Sequence, residues 1–136
     1  MTAKTHPKVV KPDAQWRAEL TPLQYHVTRE RGTEPAFTGE YCDEQREGVY
    51  HCVCCGQPLF ESRTKYDSQS GWPSFWAPID QKNVTLHTDH SLWMARTEVM
   101  CSQCNAHLGH LFEDGPEPTG QHYCINSAAL KLDEHG

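Results

Sequence analysis

The pattern of hydrophobic and polar positions divides the chain at about Gly32. Before this glycine, apolar residues recur four positions apart, which is the spacing of one face of a helix. Two short helices are therefore predicted, over 12–20 and 22–29. The apolar residues expected to face inward are Trp16 and Leu20 in the first helix and Leu23 and Val27 in the second.

The second helix has a clear start signal. Thr21 is expected as its N-cap, Pro22 as its first residue, and Gln24 as the partner that completes a capping box. Gly32 then ends the helical segment. Both helices are expected to cover one end of a sheet.

After Gly32, short runs rich in β-branched and aromatic residues alternate with glycine, proline, asparagine and aspartate. Regular turn signals without a long helical pattern predict a mostly β fold built from antiparallel sheet. One folded domain is expected over 12–134, after a flexible N-terminus over 1–11. The predicted strands are 48–52, 57–60, 84–87, 92–100, 106–112 and 122–127.

The last predicted strand has one polar and one apolar face. Successive side chains alternate across a strand, so His122, Cys124 and Asn126 share the polar face. Tyr123 and Ile125 then fall on the face that is fit for a core. A cysteine mounted in this way is a candidate nucleophile, and we interpret Cys124 as the residue that performs the chemistry.

Two histidines, His107 and His110, flank Gly109, a residue that allows another group to approach closely. A single histidine is usually a solvated surface residue, and a single free cysteine is often a small buried hydrophobe. Cys124 together with His110 and Asn126 favours a reactive site, because a cysteine nucleophile needs neighbours that stabilise its thiolate. The histidines expected at the surface include His6, His87, His90 and His135.

Composition and charge narrow the function classes. The chain has 136 residues, of which 37% are hydrophobic and 10% aromatic, and this argues for one folded domain rather than disorder. A net charge of −6 without a lysine or arginine block argues against nucleic acid as a partner. No membrane span and no secretory signal are expected, because long apolar runs are missing. We therefore expect a cytoplasmic monomer.

Seven cysteines are present, and four of them form two Cys-x-x-Cys pairs, Cys52 with Cys55 and Cys101 with Cys104. An odd total without a signal peptide argues against a secreted disulfide framework. Two such pairs together provide four thiolates for a closed tetrahedral site, which is typical of structural zinc. We predict one zinc ion per subunit, held by these four residues.

Two alternatives to this zinc site remain. A redox-active dithiol is expected as a single motif near a βαβ pattern, which this sequence does not contain. Cys54 lies between Cys52 and Cys55 and could replace one of them as a ligand, but the spacing favours Cys52 with Cys55.

The chain closely resembles the methionine-R-sulfoxide reductases, the B-type peptide methionine sulfoxide reductases. The resemblance runs from about residue 12 to about residue 133. It implies two antiparallel sheets with short N-terminal helices and, in many members, zinc on the four paired cysteines. The matching segments are GTEPAFTGEY (32–41), GVYHCVCC (48–55), LF (59–60), KYDS (65–68), GWPSF (71–75), HLGH (107–110) and YCINSA (123–128).

The resemblance also implies roles for single residues. Cys124 matches the nucleophile, whose thiolate attacks the sulfoxide sulfur, releases methionine and becomes a sulfenic acid. Trp72 matches the tryptophan that receives the ε-methyl group of the substrate, so that the enzyme accepts one sulfoxide epimer. His107, His110 and Asn126 match polar residues that orient the substrate and stabilise the transition state. The implied substrates are proteins or peptides that contain methionine-R-sulfoxide.

One departure from the family pattern concerns the resolving cysteine. Many members carry it just before GWPSF, where this chain has Ser70. Cys42 is the preferred substitute, because some members resolve from this more N-terminal loop, and thioredoxin is the expected reductant of the resulting disulfide. Cys54 is the second candidate. The third alternative is direct reduction of the sulfenic acid by an external thiol.

Two other function classes remain open from the residues alone. A zinc-binding module without catalysis accounts for the cysteine pairs, but it leaves Cys124, Asn126 and Trp72 unexplained. A cysteine hydrolase that uses Cys124 with His110 and Asn126 accounts for the polar face, but not for the zinc ligands.

Overall fold

The structure of this chain is a computed structural model, which describes residues 9–89 and 96–134. Within these ranges, two helices precede nine strands, and three single 3₁₀ turns lie between strands. The helices are α1 (Asp13–Glu19) and α2 (Pro22–Arg29). The strands are β1 (Val49–Cys52), β2 (Pro58–Glu61), β3 (Lys65–Tyr66), β4 (Ser74–Phe75), β5 (Val84–Asp89), β6 (Arg96–Cys101), β7 (His107–Phe112), β8 (His122–Ile125) and β9 (Leu130–Asp133).

The strands form two antiparallel sheets. The smaller sheet has the order β2-β1-β9, and the larger has the order β3-β4-β8-β7-β6-β5. The predicted fold of two antiparallel sheets with short N-terminal helices is therefore confirmed. Neither α1 nor α2, the helices of the described ranges, is long and apolar enough to cross a membrane.

The capping box at the start of α2 is present as predicted. The Gln24 amide donates to the Thr21 hydroxyl at 3.1 Å, and the Thr21 amide donates to the Gln24 side chain at 2.9 Å. Val27 is fully buried, but the expectation for Leu23 was wrong, because this side chain is 45% exposed. The buried face of α2 lies in its C-terminal half, through Val27 and Thr28, so a side chain in the first turn extends past it.

Several predicted elements have different limits in the structure. Predicted strand 122–127 ends at Ile125, and predicted strand 92–100 is seen from Arg96 onward, since 92–95 lie outside the described residues. Residues 1–8 also lie outside, and so do His6, His90 and His135, whereas His87 is exposed as expected. The strands that the sequence pattern missed are β3, β4 and β9.

The core lies between the two sheets, and aromatic side chains from both sheets meet in it. Phe60 of the smaller sheet stacks on Phe75 of the larger one, with ring centroids 4.4 Å apart. Tyr50 meets Phe75 edge-on at 5.2 Å, and Tyr123 lies 5.7 Å from Phe60. Tyr123 and Ile125 are fully buried, which confirms that this face of β8 belongs to the core. Burial of these rings contributes to the hydrophobic stabilisation that holds the sheets together.

Strands β7 and β8 approach each other closely at Gly109. This residue is paired with Ile125, and a Cβ added to it would lie 2.0 Å from the carbonyl oxygen of Cys124. No side chain fits there without a shift of the backbone that carries Cys124. The expectation that Gly109 allows a close approach is therefore confirmed.

Replacement of Gly109 by alanine should lower the free energy of unfolding by about 1–3 kcal/mol, because β8 must move away from β7. Urea unfolding of the purified protein measures this loss. Gly120→Ala is a suitable comparison, because Gly120 has a φ of 71° but no atom within 4 Å of an added Cβ. It should cost only the backbone strain, about 1 kcal/mol. A Gly109→Ala variant as stable as the wild type would contradict the close approach.

Candidate active site

A cavity of about 250 Å³ opens beside Cys124. The sheet register places Cys124 opposite His110 of β7 on one side and opposite Ser74 of β4 on the other. Four of the residues predicted for the site line this cavity: Trp72, His110, Cys124 and Asn126. Strand pairing thus brings the predicted nucleophile together with an aromatic wall and two polar side chains.

Trp72 is fixed in the cavity wall by its own ring nitrogen. The indole Nε1 donates to the carbonyl oxygen of Glu34 at 3.0 Å. Gly71 has a φ of 98°, and a Cβ there would lie 2.6 Å from the Cβ of Ala36. Both the left-handed backbone and this close contact require glycine at that position. The indole itself is only partly buried, so it provides an apolar surface that a ligand can reach.

Asn126 is buried, and both ends of its amide are bonded to the backbone. Its Nδ2 donates to the Leu108 carbonyl at 3.0 Å, and its Oδ1 accepts from the Glu34 amide at 2.9 Å. Asn126 therefore lines the cavity and at the same time joins the loop after α2 to the end of β8.

Glu34 is a site residue that the sequence reasoning missed. It is only 1% exposed, and its carboxylate accepts the backbone amides of Ser127 at 2.9 Å and Ala128 at 2.8 Å. Its own backbone bonds Asn126 and Trp72, so one residue positions three parts of the site. From the sequence alone, a glutamate in a polar loop is expected to be exposed to solvent. Its position in the GTEPAFTGEY segment was the only sequence signal that could have indicated a role in the site.

His107 occupies a different position from His110. It is buried and does not appear among the residues that line the cavity. Its Nδ1 lies 2.6 Å from the Glu98 carboxylate, which also accepts from Arg31 at 2.8 Å. An irregularity in the pairing of β6 with β7 turns His107 to the same side as His110, and their ring centroids are 5.4 Å apart. His107 thus packs against the ring that faces the cavity.

The Cys124 thiol is held mainly in its neutral form. Burial raises its pKa to about 11, a hydrogen bond with the Ser70 hydroxyl acts in the opposite direction, and the charges of Asp114 and Glu34 raise it further. With this pKa, on the order of one molecule in ten thousand carries a thiolate at pH 7. A reaction at neutral pH therefore needs a group that accepts the thiol proton or a ligand that stabilises the thiolate.

Further residues of the cavity were not singled out as site residues from the sequence. Strand alternation did place His122 on the Cys124 face, and its Nε2 lies 2.9 Å from the Ser74 hydroxyl. Its Nδ1 lies 3.1 Å from the Asp114 carboxylate. The others belong to segments whose positions depend on tertiary contacts. They are Thr33, Ser70, Arg96, Phe112 and Asp114.

Cys42 does not line this cavity. It opens into a separate hollow whose wall includes Lys65 and Tyr66. The Lys65 ammonium donates to the Cys42 carbonyl at 3.2 Å, and burial together with the charge of Asp43 raises the pKa of the Cys42 thiol. Cys42 and Cys124 are both free thiols.

The structure brings the four paired cysteines together. Their sulfur atoms all lie within 4.8 Å of one another, with Cys52 to Cys104 at 3.7 Å and Cys55 to Cys101 at 3.6 Å. Four thiolates around a tetrahedral ion with bonds of about 2.3 Å lie about 3.8 Å apart, so the cluster fits such an ion. Cys54 is buried beside this group but is not one of the four.

Both cysteine pairs form turns of the same geometry. The residue after each pair, Gly56 or Asn105, has a positive φ, and its amide donates to the carbonyl of the first cysteine. Polar groups also point at the sulfur atoms, with Gln57 Nε2 at 3.4 Å from Cys101 and Arg29 Nη2 at 3.6 Å from Cys104. Such donors offset the negative charge that four thiolates bring to a divalent ion.

The SelR domain family matches residues 20–134. A relative from Hahella chejuensis, named peptide methionine sulfoxide reductase MsrB, is 61% identical over 125 residues, which cover 92% of this chain and 90% of the relative. The chain belongs to the B-type methionine sulfoxide reductase family. A second MsrB, from Acinetobacter baylyi, is 54% identical over 92% of this chain and 90% of its own length.

A plant member of the same family has a longer chain. The relative from Oryza sativa subsp. japonica is named peptide methionine sulfoxide reductase B1, chloroplastic, and is 60% identical over 121 residues. These cover 88% of this chain and 56% of the plant protein. The B-type reductase domain thus accounts for nearly all of the chain described here.

Proposed function

We propose that this protein reduces methionine-R-sulfoxide, in proteins or peptides, to methionine through thiol chemistry at Cys124. Family membership makes the chain a peptide-methionine (R)-S-oxide reductase, which is an oxidoreductase. The observation that supports the assignment of residues is the cavity that holds Cys124 together with Trp72 and His110.

The first step is attack of the Cys124 thiolate on the sulfoxide sulfur. The cysteine sulfur loses two electrons and the sulfoxide sulfur gains them, while the oxygen and one proton end on Cys124 as a sulfenic acid. Methionine is then released. The proton that the oxygen requires must come from a donor on its side of the cavity, and His110 is the cavity histidine that lies opposite Cys124 on β7.

His107 and Asn126 assist this step by positioning other groups of the site. His107 carries its bond to the Glu98 carboxylate and packs on the His110 ring, so it positions that ring. Asn126 fixes the end of β8 through Leu108 and Glu34. The two residues orient the groups that stabilise the transition state.

Trp72 determines which epimer is reduced. An indole fixed at the cavity wall offers an apolar surface for the ε-methyl group, while the oxygen must face the polar side. Only one configuration at the sulfoxide sulfur satisfies both requirements when the sulfur also faces Cys124. The resemblance to the methionine-R-sulfoxide reductases implies that this configuration is R.

We propose that Cys42 resolves the sulfenic acid. Its thiol attacks the Cys124 sulfur, water leaves, and a Cys42–Cys124 disulfide forms that the dithiol of thioredoxin then reduces. Tyr41 supports a link between the two segments, because its amide donates to the Ser127 hydroxyl at 3.1 Å. The two thiols face different hollows, so the disulfide requires a change of conformation in the loop around Cys42. A reducing compartment such as the cytoplasm suits this cycle.

The alternatives to Cys42 have less support. Cys54 is buried beside the four paired cysteines, where a bound ion would restrain it. Ser70 lies next to Cys124 but offers a hydroxyl, which cannot form a disulfide. An external thiol that reaches the cavity directly remains the competing route.

A cysteine hydrolase is disfavoured by the position of Asn126. A hydrolase of this kind uses the asparagine to orient the histidine, whereas here the asparagine amide is bonded to the Leu108 carbonyl and the Glu34 amide. A metal-binding module without catalysis leaves the cavity around Cys124 unexplained. Methionine-R-sulfoxide, a methionine sulfoxide peptide and a thioester, each offered with dithiothreitol, test these three functions in one assay.

We propose that the four paired cysteines hold one zinc ion per subunit. The donor set is the one that zinc prefers, and four thiolates leave no open coordination position for a substrate. The ion would join the β1–β2 turn of the smaller sheet to the β6–β7 turn of the larger one. Its role is therefore structural.

Replacement of Cys101 by serine should release the metal and lower the free energy of unfolding by several kcal/mol, because metal binding adds directly to folding. Elemental analysis and thermal unfolding measure the two effects. Cys54→Ser is the matched control and should keep one zinc per chain, since Cys54 is not among the four. A fully folded wild-type protein without metal would contradict the proposal.

Reduction should be specific for the R epimer, and the S epimer should be left essentially unreacted. Trp72→Ala should weaken the discrimination and raise KM, with a loss of about 1–3 kcal/mol in transition-state stabilisation. Chromatography of methionine formed from each pure epimer provides the measurement. Equal rates on both epimers with the wild-type protein would rule out the role of Trp72.

The two cysteines should fail at different steps when each is replaced. Cys124→Ser should abolish even one turnover, because a hydroxyl is far less nucleophilic than a thiolate. Cys42→Ser should release one methionine per enzyme and then stop with thioredoxin, whereas dithiothreitol should restore turnover. Single-turnover assays and peptide mass mapping of a Cys42–Cys124 disulfide test this. Wild-type turnover of Cys42→Ser with thioredoxin would assign resolution to Cys54 or an external thiol.

A further inference from the structure

The N-terminal segment, residues 9–29, lies against the turn between β6 and β7 that carries half of the four-cysteine cluster. The Val9 amide donates to the carbonyl oxygen of Gln103 in this turn at 2.9 Å. At the other end of the segment, Arg29 Nη2 donates to the Cys104 carbonyl oxygen at 2.9 Å and to the Cys104 sulfur at 3.6 Å. Both ends of the segment therefore contact the same turn, and one of them contacts a cysteine that is proposed to bind the ion.

The Arg29 side chain is fixed by the aromatic ring of Trp16 in α1. The central carbon of its guanidinium lies 4.3 Å from the ring centroid, and Trp16 is only 4% exposed. The ammonium of Lys11 lies 5.0 Å from the same centroid and forms an ion pair with Glu19 at 2.8 Å. A guanidinium that is already stacked loses little further freedom when it forms a hydrogen bond. The position of a cation beside the Cys104 sulfur thus depends on α1 as well as on α2.

We propose that Arg29, held on the Trp16 ring, couples docking of the N-terminal segment to retention of the metal ion. This inference rests on the proposed zinc site and gives the two helices a role beyond covering one end of a sheet. Arg29 is a positioning residue, because it fixes the carbonyl and the sulfur of Cys104 without binding the ion itself.

The charge of the cluster explains why a cation stabilises it at this point. Four thiolates around a divalent ion carry an excess of negative charge, and both Cys101 and Cys104 are buried. Donors to the sulfur atoms offset that charge. Gln57 supplies the donor for Cys101, and its Nε2 also donates to the Asn83 carbonyl oxygen at 2.9 Å. Arg29 supplies the donor for Cys104 and adds a full positive charge, whose effect is larger in a buried site than in water.

The two sides of this coupling must affect each other equally. If docking of the N-terminal segment strengthens metal binding, metal binding strengthens docking by the same factor. Loss of the ion should therefore weaken the contact of Arg29 with Cys104 and expose the Trp16 ring. Loss of the Arg29 side chain should in turn speed the release of the ion.

Arg17 provides a matched control for the removal of an arginine. Its guanidinium also lies 4.3 Å from an aromatic centroid, that of Tyr25, and it forms an ion pair with Asp13 at 2.7 Å. The contact with Tyr25 joins α1 to α2, as the contact of Arg29 with Trp16 does, but it involves no cysteine. A change that follows from weaker helix packing alone should thus appear in both variants.

The experiment measures zinc release from the full-length, zinc-loaded protein in an excess of EDTA at neutral pH. Elemental analysis of desalted samples gives the zinc that remains at each time. Arg29→Ala should lose zinc about tenfold faster than the wild type, as expected for loss of a residue that supports a metal ligand. Arg29→Lys should be intermediate, because it keeps the charge but not the planar group that stacks and donates. Arg17→Ala should release zinc at the wild-type rate.

Hydrogen exchange measured by mass spectrometry tests the other direction of the coupling. Zinc-loaded Arg29→Ala should exchange faster than the wild type in peptides from 12–21, whereas peptides from β8 should be unchanged. The wild type should show the same faster exchange in 12–21 while its zinc is being removed. Trp16→Leu should also speed zinc release, and the double variant should be no faster than Arg29→Ala alone, because Trp16 acts through Arg29.

Zinc release from Arg29→Ala at the wild-type rate would overturn the coupling and leave the zinc site in place. Equal acceleration in Arg17→Ala would overturn it as well, because the effect would then come from helix packing. A folded wild-type protein without zinc would instead overturn the proposed metal site, and the coupling with it. Sulfoxide reduction enters none of these measurements, so they decide on Arg29 independently of the role of Cys124.

Discussion

Backbone pairing of β8 with both β4 and β7 is the constraint on which the site depends. One face of β8 places Tyr123 and Ile125 in the core, so the strand cannot slip without exposing them. The other face then has a fixed neighbour on each side of Cys124. His110 on β7 lines the cavity, whereas Ser74 on β4 is buried and hydrogen-bonded to other side chains. Cys124 therefore lies between two different environments.

A buried carboxylate fixes the loops around this strand. Removal of Glu34 from water would be costly if its charge were not compensated, but two backbone amides donate to it. Its main chain bonds Trp72 and Asn126 as well. The contact with Trp72 spans 38 positions of the chain and the contact with Asn126 spans 92, so the cavity wall and the strand that carries Cys124 share one support.

The helices and the cluster of four paired cysteines could be predicted from the sequence, because each has a local signature. Thr21 and Gln24 have the spacing of a capping box, and the face of β8 on which Cys124 lies follows from strand alternation. Local sequence rules do not predict the burial of Leu23 or the position of His107. The burial of Leu23 depends on which half of α2 meets the sheet, and the side on which His107 lies depends on an irregularity between β6 and β7. Glu34 and Ser70 gain their roles only through tertiary contacts.

The four paired cysteines also bear on how the chain reaches this fold. Cys55 and Cys101 lie 46 positions apart, and each belongs to a tight turn between two strands of a different sheet. Each turn can form locally, whereas packing of the two sheets requires closure of a long loop, which slows folding. An ion held by both turns, as proposed above, would close that loop in advance. The cluster would therefore act as a nucleation point in folding as well as a clamp in the finished molecule.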